Sequence, residues 1–186
     1  MIGRLVAFTG PAGAGKSTAA DVLCGEGWVR VKFADPLKNM MRAFYWSCGL
    51  RNEDYIEARI EGDMKEEPDP FLCGRTPRKA MQTLGTEWGR QCLAENLWVN
   101  AWKEQAGQFL EMGMDVVTDD CRFENEAEMV RKLGGKVVQI IGRDKGLAPA
   151  HASEQFALTA DMKIANASSL SGFTRDIVHI FHDTGY

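Results

Sequence analysis

The chain has 186 residues, of which 45% are hydrophobic and 26% charged, and its formal net charge is −4. These values are ordinary for a soluble globular protein, and the acidic balance gives no indication of a nucleic acid polymer as partner. No apolar run approaches the length of a membrane span or a signal peptide, so we expect a cytoplasmic protein without a membrane partner. Five scattered cysteines form no C-x-x-C pair, which favours reduced, buried thiols over disulfides or zinc ligands.

Apolar runs and helical spacings alternate along the chain. The predicted strands cover residues 5–8, 28–33, 114–118, 136–141 and 161–165. The predicted helices cover residues 17–24, 36–48, 53–60, 93–110 and 124–133, with one more from Pro77 after the cap Thr76 and a last one after the cap Ser169. This alternation predicts an α/β fold of one domain over residues 1–186, a three-layer sandwich in which helices cover both faces of a mostly parallel five-stranded sheet.

Two segments stand apart from this alternation. Residues 51–74 are rich in charge and contain Pro68 and Pro70, which indicates a surface excursion that is mobile and binds substrate. Residues 142–154 combine glycines, a proline and charges, and this composition is typical of a mobile lid.

The stretch TGPAGAGKST, residues 9–18, matches the phosphate-loop pattern between a predicted strand and a predicted helix. Glycines let backbone N–H groups turn towards phosphate oxygens, and the start of the next helix adds its positive end. Lys16 would reach the β- and γ-phosphates of ATP, and the Ser17 hydroxyl would ligate Mg²⁺. The predicted triphosphate-binding residues are Gly10, Ala12, Gly13, Ala14, Gly15, Lys16, Ser17 and Thr18. This motif places the predicted sandwich in the P-loop NTPase type.

Two acidic residues, Asp119 and Asp120, follow the predicted strand 114–118. Ligands bind at the carboxyl ends of strands in an open α/β sheet, so one of the two is expected to hold Mg²⁺. The alternative is that both cap the next helix. Arg122 is expected either to neutralise a phosphate or to pair with Asp119 or Glu124.

A basic segment, GRTPRKAMQTLGTEWGRQ, covers residues 74–91. Arg78 and Gln82 share one helix face, where the arginine would grip a phosphate and the glutamine a base edge. The alternative is a solvated basic face. In FADPLK, residues 33–38, Asp35 and Lys38 face either a substrate or solvent.

Three tryptophans, Trp88, Trp98 and Trp102, are interpreted as core residues rather than platforms for stacked bases. The face around Trp98 and Trp102 is either core or the interface of a homodimer.

Five segments follow one another along the chain: the phosphate loop, FADPLK, RTPRKAMQTLGTEWGR, DDCRFENEAE and HASE. With these segments in this order, the chain resembles the phage-type deoxynucleoside monophosphate kinases, relatives of the adenylate and guanylate kinases. The segments Q-x-L-G-T-E and D-x-R-F-x-N-E carry this resemblance, because the loop is common to many nucleotide-binding families. The resemblance implies transfer of the γ-phosphate of ATP, with Mg²⁺, to a deoxynucleoside 5′-monophosphate. It also implies a location in the host cytoplasm if a phage encodes the chain.

The resemblance extends to individual residues. It implies that Asp120, rather than Asp119, serves Mg²⁺ or the acceptor site. It implies further that Lys38, Arg78, Gln82 and Arg122 contact the acceptor nucleotide. Arg143 is expected to approach the ATP phosphates or flank the adenine, or else to be an exposed loop arginine. His151 is expected to have a structural role, whereas no role is assigned to Glu154. Residues 166–168 are expected to form part of an adenine pocket.

Two alternatives remain from the sequence. The first is another small-molecule kinase on the same scaffold, such as a dephospho-coenzyme A kinase or a nucleoside kinase, which leaves Q-x-L-G-T-E without a role. The second is a regulatory protein that binds ATP without transferring phosphate. Arg78, Arg122 and Arg143 argue against it, because they supply more cations than one triphosphate needs.

Overall fold

The computed structural model describes residues 2–142 and 158–183. The chain divides into two compact units, one of Met1–Phe33 with Trp102–Tyr186 and the other of Ala34–Ala101. Within the described residues, no helix is long and apolar enough to cross a membrane.

A five-stranded parallel sheet forms the first unit, in the strand order β2-β3-β1-β4-β5. The strands are β1 (Leu5–Thr9), β2 (Val29–Arg30), β3 (Val116–Thr118), β4 (Lys136–Ile141) and β5 (Met162–Ala165). The predicted parallel sheet is thus confirmed. The second strand is shorter than predicted, because the backbone N–H of Phe33 donates to the Asp120 side chain instead of continuing the ladder.

Helices cover both faces of this sheet. Along β1, Val6 and Phe8 pack on one face and Leu5 and Ala7 on the other, as the period of two in a strand requires. The first face is covered by α1 (Lys16–Gly25) and α7 (Leu170–Val178), and the second by α6 (Glu124–Lys132) and the part of α5 (Leu97–Glu111) that belongs to this unit. The three-layer α/β sandwich is confirmed.

Trp102 lies fully buried in the second of these faces. Its indole Nε1 donates to the Val31 carbonyl at 3.0 Å, and its ring stacks on Phe33 with centroids 4.2 Å apart. The indole therefore has its hydrogen-bond partner inside the chain, and the core interpretation of Trp102 is confirmed.

The second unit is helical. It contains α2 (Asp35–Ser47), α3 (Glu53–Ile60), α4 (Pro77–Gln82), the start of α5, two short 3₁₀ turns (Asp63–Glu66 and Pro70–Leu72) and a wide π-type helix (Thr83–Leu93). Trp98 is buried, and its Nε1 donates to the Gly85 carbonyl at 2.8 Å. The core interpretation is confirmed for Trp98 but wrong for Trp88, which is exposed. A Cβ at Gly89 would lie 2.4 Å from the Trp98 Nε1, so only glycine fits against the indole. Helix α5 begins at Leu97, later than predicted, because Ala94 has an extended backbone.

Residues 51–74 contribute to the core of this unit. Ile56 and Ile60 pack with Met41 and Tyr45 of α2. Within the segment, Arg59 Nε lies 2.7 Å from Asp69 Oδ2, and both side chains are buried. The charges of this segment are therefore partly internal, whereas the composition alone indicates a surface excursion.

The expectation of buried thiols is wrong for three of the five cysteines. Cys48, Cys73 and Cys92 are exposed, because they lie at helix ends and in turns rather than on packed faces. Cys121 is buried, and desolvation raises the pKa of its thiol. All five are free thiols.

Candidate active site

The phosphate loop connects β1 to α1 and has a backbone that only glycine adopts easily. Gly10, Gly13 and Gly15 have φ of 135°, 74° and 106°. Space also excludes side chains at two of them. A Cβ at Gly10 would lie 2.4 Å from the Ile140 carbonyl oxygen, and one at Gly15 would lie 2.5 Å from Asn166 Nδ2.

Lys16 is the first residue of α1, and its ammonium bends back over the loop. Its Nζ donates to the carbonyls of Gly10 and Pro11, each at 2.8 Å. Gly15 precedes the helix in a left-handed conformation and provides no side-chain cap. The first N–H groups of α1 are therefore oriented as an anion site at the positive end of the helix.

The loop is held from the side by the ends of β4 and β5. Asn166 Nδ2 donates to the Ala14 carbonyl at 2.9 Å, and a Cβ at Gly142 would lie 2.6 Å from Ala14 Cα. The sequence predicts an adenine pocket around Asn166, whereas the structure shows its amide against the loop backbone.

The two acidic residues beyond β3 have different surroundings. Asp120 Oδ1 accepts from the Phe33 N–H at 3.0 Å and from the Thr118 hydroxyl at 2.9 Å. Asp119 has only 3% of its side chain exposed, and its Oδ2 lies 4.0 Å from Arg30 Nη1. Asp119 Oδ1 is buried without a hydrogen-bond partner among the described residues. The two carboxylates thus offer different capacities to a ligand.

Arg122 is fixed through its backbone while its side chain is exposed. Its N–H donates to Oε2 of the buried Glu126 at 2.7 Å. The expected alternative, that its guanidinium pairs with Asp119 or Glu124, is wrong. Asp119 lies against Arg30, and Glu124 pairs with Arg131. Arg122 makes no ion pair within the described part of the chain, so it remains a candidate phosphate ligand.

Sequence reasoning missed Arg30, the last residue of β2. Its Nη2 donates to Asp21 Oδ1 at 2.6 Å and to the Ser17 carbonyl at 3.3 Å. A single arginine in an apolar run gives no spacing signal. The predicted strand 28–33 also places Arg30 in its middle, and only the shorter β2 of the structure brings the residue to the carboxyl end, the edge that binds ligands.

The predicted acceptor residues Asp35, Lys38, Arg78 and Gln82 all lie in the second unit. Lys38 Nζ is 2.6 Å from Glu61 Oε1, and Arg78 Nε contacts Glu66 Oε1. Asp35 lies in the first turn of α2, and Gln82 is the last residue of α4. The two cations of this group are therefore paired with carboxylates of their own unit.

A further basic residue of α2, Arg42, was not singled out from the sequence. Arg42 Nε lies 2.6 Å from Glu57 Oε1, and this hydrogen bond is the main cause of the raised pKa of Arg42 and the lowered pKa of Glu57. Its spacing of four from Lys38 on a helix was the signal that would have found it.

Three predictions fall on residues that the structure leaves out. Arg143, His151 and Glu154 lie outside the described residues, and so does the predicted lid apart from Gly142.

A glycine loop between the central strand of a parallel sheet and a helix, with acidic residues beyond the neighbouring strand, defines the P-loop class of nucleotide-binding folds. The family model for deoxynucleotide monophosphate kinase matches residues 75–177. The chain therefore belongs to the deoxynucleotide monophosphate kinase family, which makes it a nucleotide kinase.

This chain is also similar to individual known proteins. A protein of Acanthamoeba polyphaga mimivirus named "Putative deoxynucleotide monophosphate kinase" is 28% identical over 187 residues, 94% of each chain. Among solved structures, the Mycobacterium tuberculosis APS kinase CysC in complex with AMPPNP and APS is similar with a TM-score of 0.52 and 12% identity, over 96% of this chain and 97% of that one. Dephospho-CoA kinase from Campylobacter jejuni is similar with a TM-score of 0.51 and 15% identity, over 98% of each chain. At such identities the two structures show the shared fold.

Proposed function

We propose that the protein transfers the γ-phosphate of ATP to a deoxynucleoside 5′-monophosphate and forms the diphosphate. The observation that carries this proposal is the phosphate loop, whose glycine backbone and Lys16 form a polyphosphate site at the start of α1. The family match over residues 75–177 supports a nucleotide monophosphate as acceptor. The donor, the acceptor and the transfer are each open to a direct test.

On the donor side, the loop binds phosphate mainly through its backbone. The N–H groups of the loop and of the first turn of α1 surround phosphate oxygens, while Lys16 exchanges the Gly10 and Pro11 carbonyls for the outer phosphates. Asn166 and Gly142 keep the loop in place, because the loop packs directly against both. This preorganised arrangement stabilises the charge that spreads over the transferred group.

Ser17 and Asp119 fit a magnesium ion best. Magnesium is usually held by one or two protein oxygens together with substrate phosphates, rather than by a cage of side chains. The buried Asp119 Oδ1 lacks a hydrogen-bond partner among the described residues, whereas Asp120 Oδ1 accepts two hydrogen bonds, so we favour Asp119 over Asp120. When bound, Mg²⁺ would neutralise phosphate charge as a Lewis acid.

On the acceptor side, cationic residues hold the monophosphate for in-line attack. In the second unit we assign Lys38 and Arg78 to its phosphate, and Gln82 with Asp35 to the rest of the nucleotide. Lys38 and Arg78 would exchange Glu61 and Glu66 for the phosphate oxygens. The attacking group is already an anionic phosphate oxygen, so the chain needs to align it rather than remove a proton from it.

An ADP-release assay with a panel of acceptors tests this proposal. The panel contains the four deoxynucleoside monophosphates, the corresponding ribonucleotides, free nucleosides and dephospho-coenzyme A. We expect ADP release that depends on at least one deoxynucleoside monophosphate and is lost in Lys16→Ala. Release driven by nucleosides or dephospho-coenzyme A would identify another kinase, and ATP binding without acceptor-dependent release would identify a regulatory protein.

A further inference from the structure

Arg30 joins three elements around the phosphate site. Its Nη2 donates to Asp21 Oδ1 at 2.6 Å and to the Ser17 carbonyl at 3.3 Å, both on α1. Its Nη1 lies 4.0 Å from Asp119 Oδ2, beyond the end of β3. One guanidinium on β2 thus links the first turns of α1 to the buried carboxylate.

Two buried polar atoms of this group are unsatisfied. Arg30 Nε and Asp119 Oδ1 have no hydrogen-bond partner in the portion of the chain that the structure describes. Buried polar atoms nearly always have a partner, so each of these two atoms has a hydrogen bond left for a water or an ion that is not part of the chain. An oxygen that accepts and a nitrogen that donates fit a hydrated cation, which the carboxylate ligates and whose waters the guanidinium contacts.

The charges of the group depend on Arg30. A guanidinium is always protonated in proteins, and that of Arg30 lies 4.0 Å from the Asp119 carboxylate. Without it, the buried Asp119 carboxylate would lose its countercharge, which a protein interior strongly disfavours. Asp119 would then move towards solvent or another cation.

We propose that Arg30 is a positioning residue for the divalent cation of the phosphate site, because it holds the Asp119 carboxylate and the Ser17 turn of α1 in a fixed relation. Arg30 itself does not ligate the cation. Its effect passes through Asp119, whose buried Oδ1 has no hydrogen-bond partner among the described residues. This inference rests on the proposed function, since it takes a metal-bound triphosphate as the occupant of the loop.

Manganese binding, measured by electron paramagnetic resonance with a non-hydrolysable ATP analogue, tests the inference without turnover. Partners that orient a metal ligand typically contribute 10- to 100-fold to metal affinity, so we expect Arg30→Ala to weaken Mn²⁺ binding by about 10-fold or more. Arg30→Lys is expected to recover part of this loss, because an ammonium restores the charge but does not span three partners. Arg175→Ala, which removes an exposed arginine of α7, is the matched control and should leave the affinity unchanged.

A double-mutant cycle separates positioning from direct contact. In an Asp119→Asn background, Arg30→Ala should add little further loss, because the carboxylate that Arg30 positions is already gone. An equal loss with and without Asp119 would overturn the inference in favour of direct contact between Arg30 and the phosphates. Unchanged Mn²⁺ affinity in a folded Arg30→Ala would also overturn it.

Folding and function have separate controls in this design. Circular dichroism checks the fold of each variant, and if Arg30→Ala does not fold, Arg30→Lys carries the test with the same expected direction. If the wild-type protein binds neither the analogue nor Mn²⁺, the proposed function itself fails. If the wild type binds both and the Arg30 variants match it, only the role of Arg30 fails.

Discussion

The phosphate loop of the first unit and the basic residues of the second unit differ in the groups that they offer to phosphate. The loop offers backbone N–H groups and one lysine, whose ammonium rests on loop carbonyls. The second unit offers long side chains, and Lys38 and Arg78 are paired with Glu61 and Glu66. In the proposed function, a phosphate would therefore meet prepared donors at the loop but would have to replace carboxylates in the second unit.

This difference indicates how the two sites would behave. A backbone site has little conformational freedom to lose on binding, so its affinity is set by the loop conformation. A cationic side chain and its paired carboxylate together have a net charge near zero, until a more strongly charged anion displaces the carboxylate. We accordingly expect donor binding to be sensitive to geometry and acceptor binding to be sensitive to charge.

The largest effect on stability is expected for Asp69→Asn in the second unit. Asp69 accepts from Arg59 at 2.7 Å and from the Tyr45 hydroxyl at 3.2 Å, all within the core. Removing one partner of a buried ion pair typically costs about 3–5 kcal/mol. Urea denaturation measures this loss, and Glu87→Gln, which breaks the exposed pair with Lys79, is the control. Equal unfolding midpoints for the two variants would show that the buried pair does not hold this unit.

The next effect is expected for Lys16→Ala in the phosphate loop. Loss of one preorganised donor to a transition state typically lowers kcat by about 10²–10³-fold. Stability should stay close to that of the wild type, because the hydrogen bonds of Nζ to the Gly10 and Pro11 carbonyls are exposed or only partly buried. Steady-state kinetics with Lys103→Ala as the surface control checks both points. A kcat near that of the wild type would remove Lys16 from the mechanism.

Arg78→Ala tests the second unit at its predicted phosphate contact. We expect a higher KM for the monophosphate, by about 10-fold or more, since a hydrogen bond to a charged group contributes about 1.5–3 kcal/mol. The KM for ATP should stay constant. Lys79→Ala, which removes the neighbouring cation, is the matched control. A variant that changes the KM for ATP alone would place Arg78 on the donor side.

The smallest effect is expected from pH at the Arg42–Glu57 pair. The hydrogen bond to Arg42 lowers the pKa of Glu57 below its ordinary value of 4.5. The unfolded chain therefore binds a proton at a higher pH than the folded one. The contribution to stability is present above the ordinary value and is lost as pH falls through the lowered one.

Glu57→Gln should remove that part of the acid-induced loss of stability. Because the Glu57 side chain is 46% exposed, we expect less than about 1 kcal/mol. Unfolding free energies of both proteins from neutral to acidic pH measure the difference. A steeper loss in the variant would contradict the assigned direction.

The sequence was most informative where the determinants are local. The phosphate loop lies within ten residues, and its glycines, lysine and serine appear in the structure where the pattern places them. The alternation of apolar runs with helical spacings was enough to predict five parallel strands between helices. Both features follow from the conformational rules of short segments.

Features that depend on distant partners could not be predicted in this way. Arg59 and Asp69 lie in a charge-rich segment that looks solvated until the fold buries both. The link between Arg30 and Asp119 joins residues 89 positions apart, and no spacing marks it. The same holds for Gly89, whose missing side chain makes room for the Trp98 indole.

The most direct test of the central claim is the balance of products from ATP and a deoxynucleoside monophosphate, followed by phosphorus NMR. Phosphotransfer between two nucleotides predicts one deoxynucleoside diphosphate for each ADP formed, without inorganic phosphate. Formation of inorganic phosphate in place of the deoxynucleoside diphosphate, at a rate that ignores the acceptor, would contradict it.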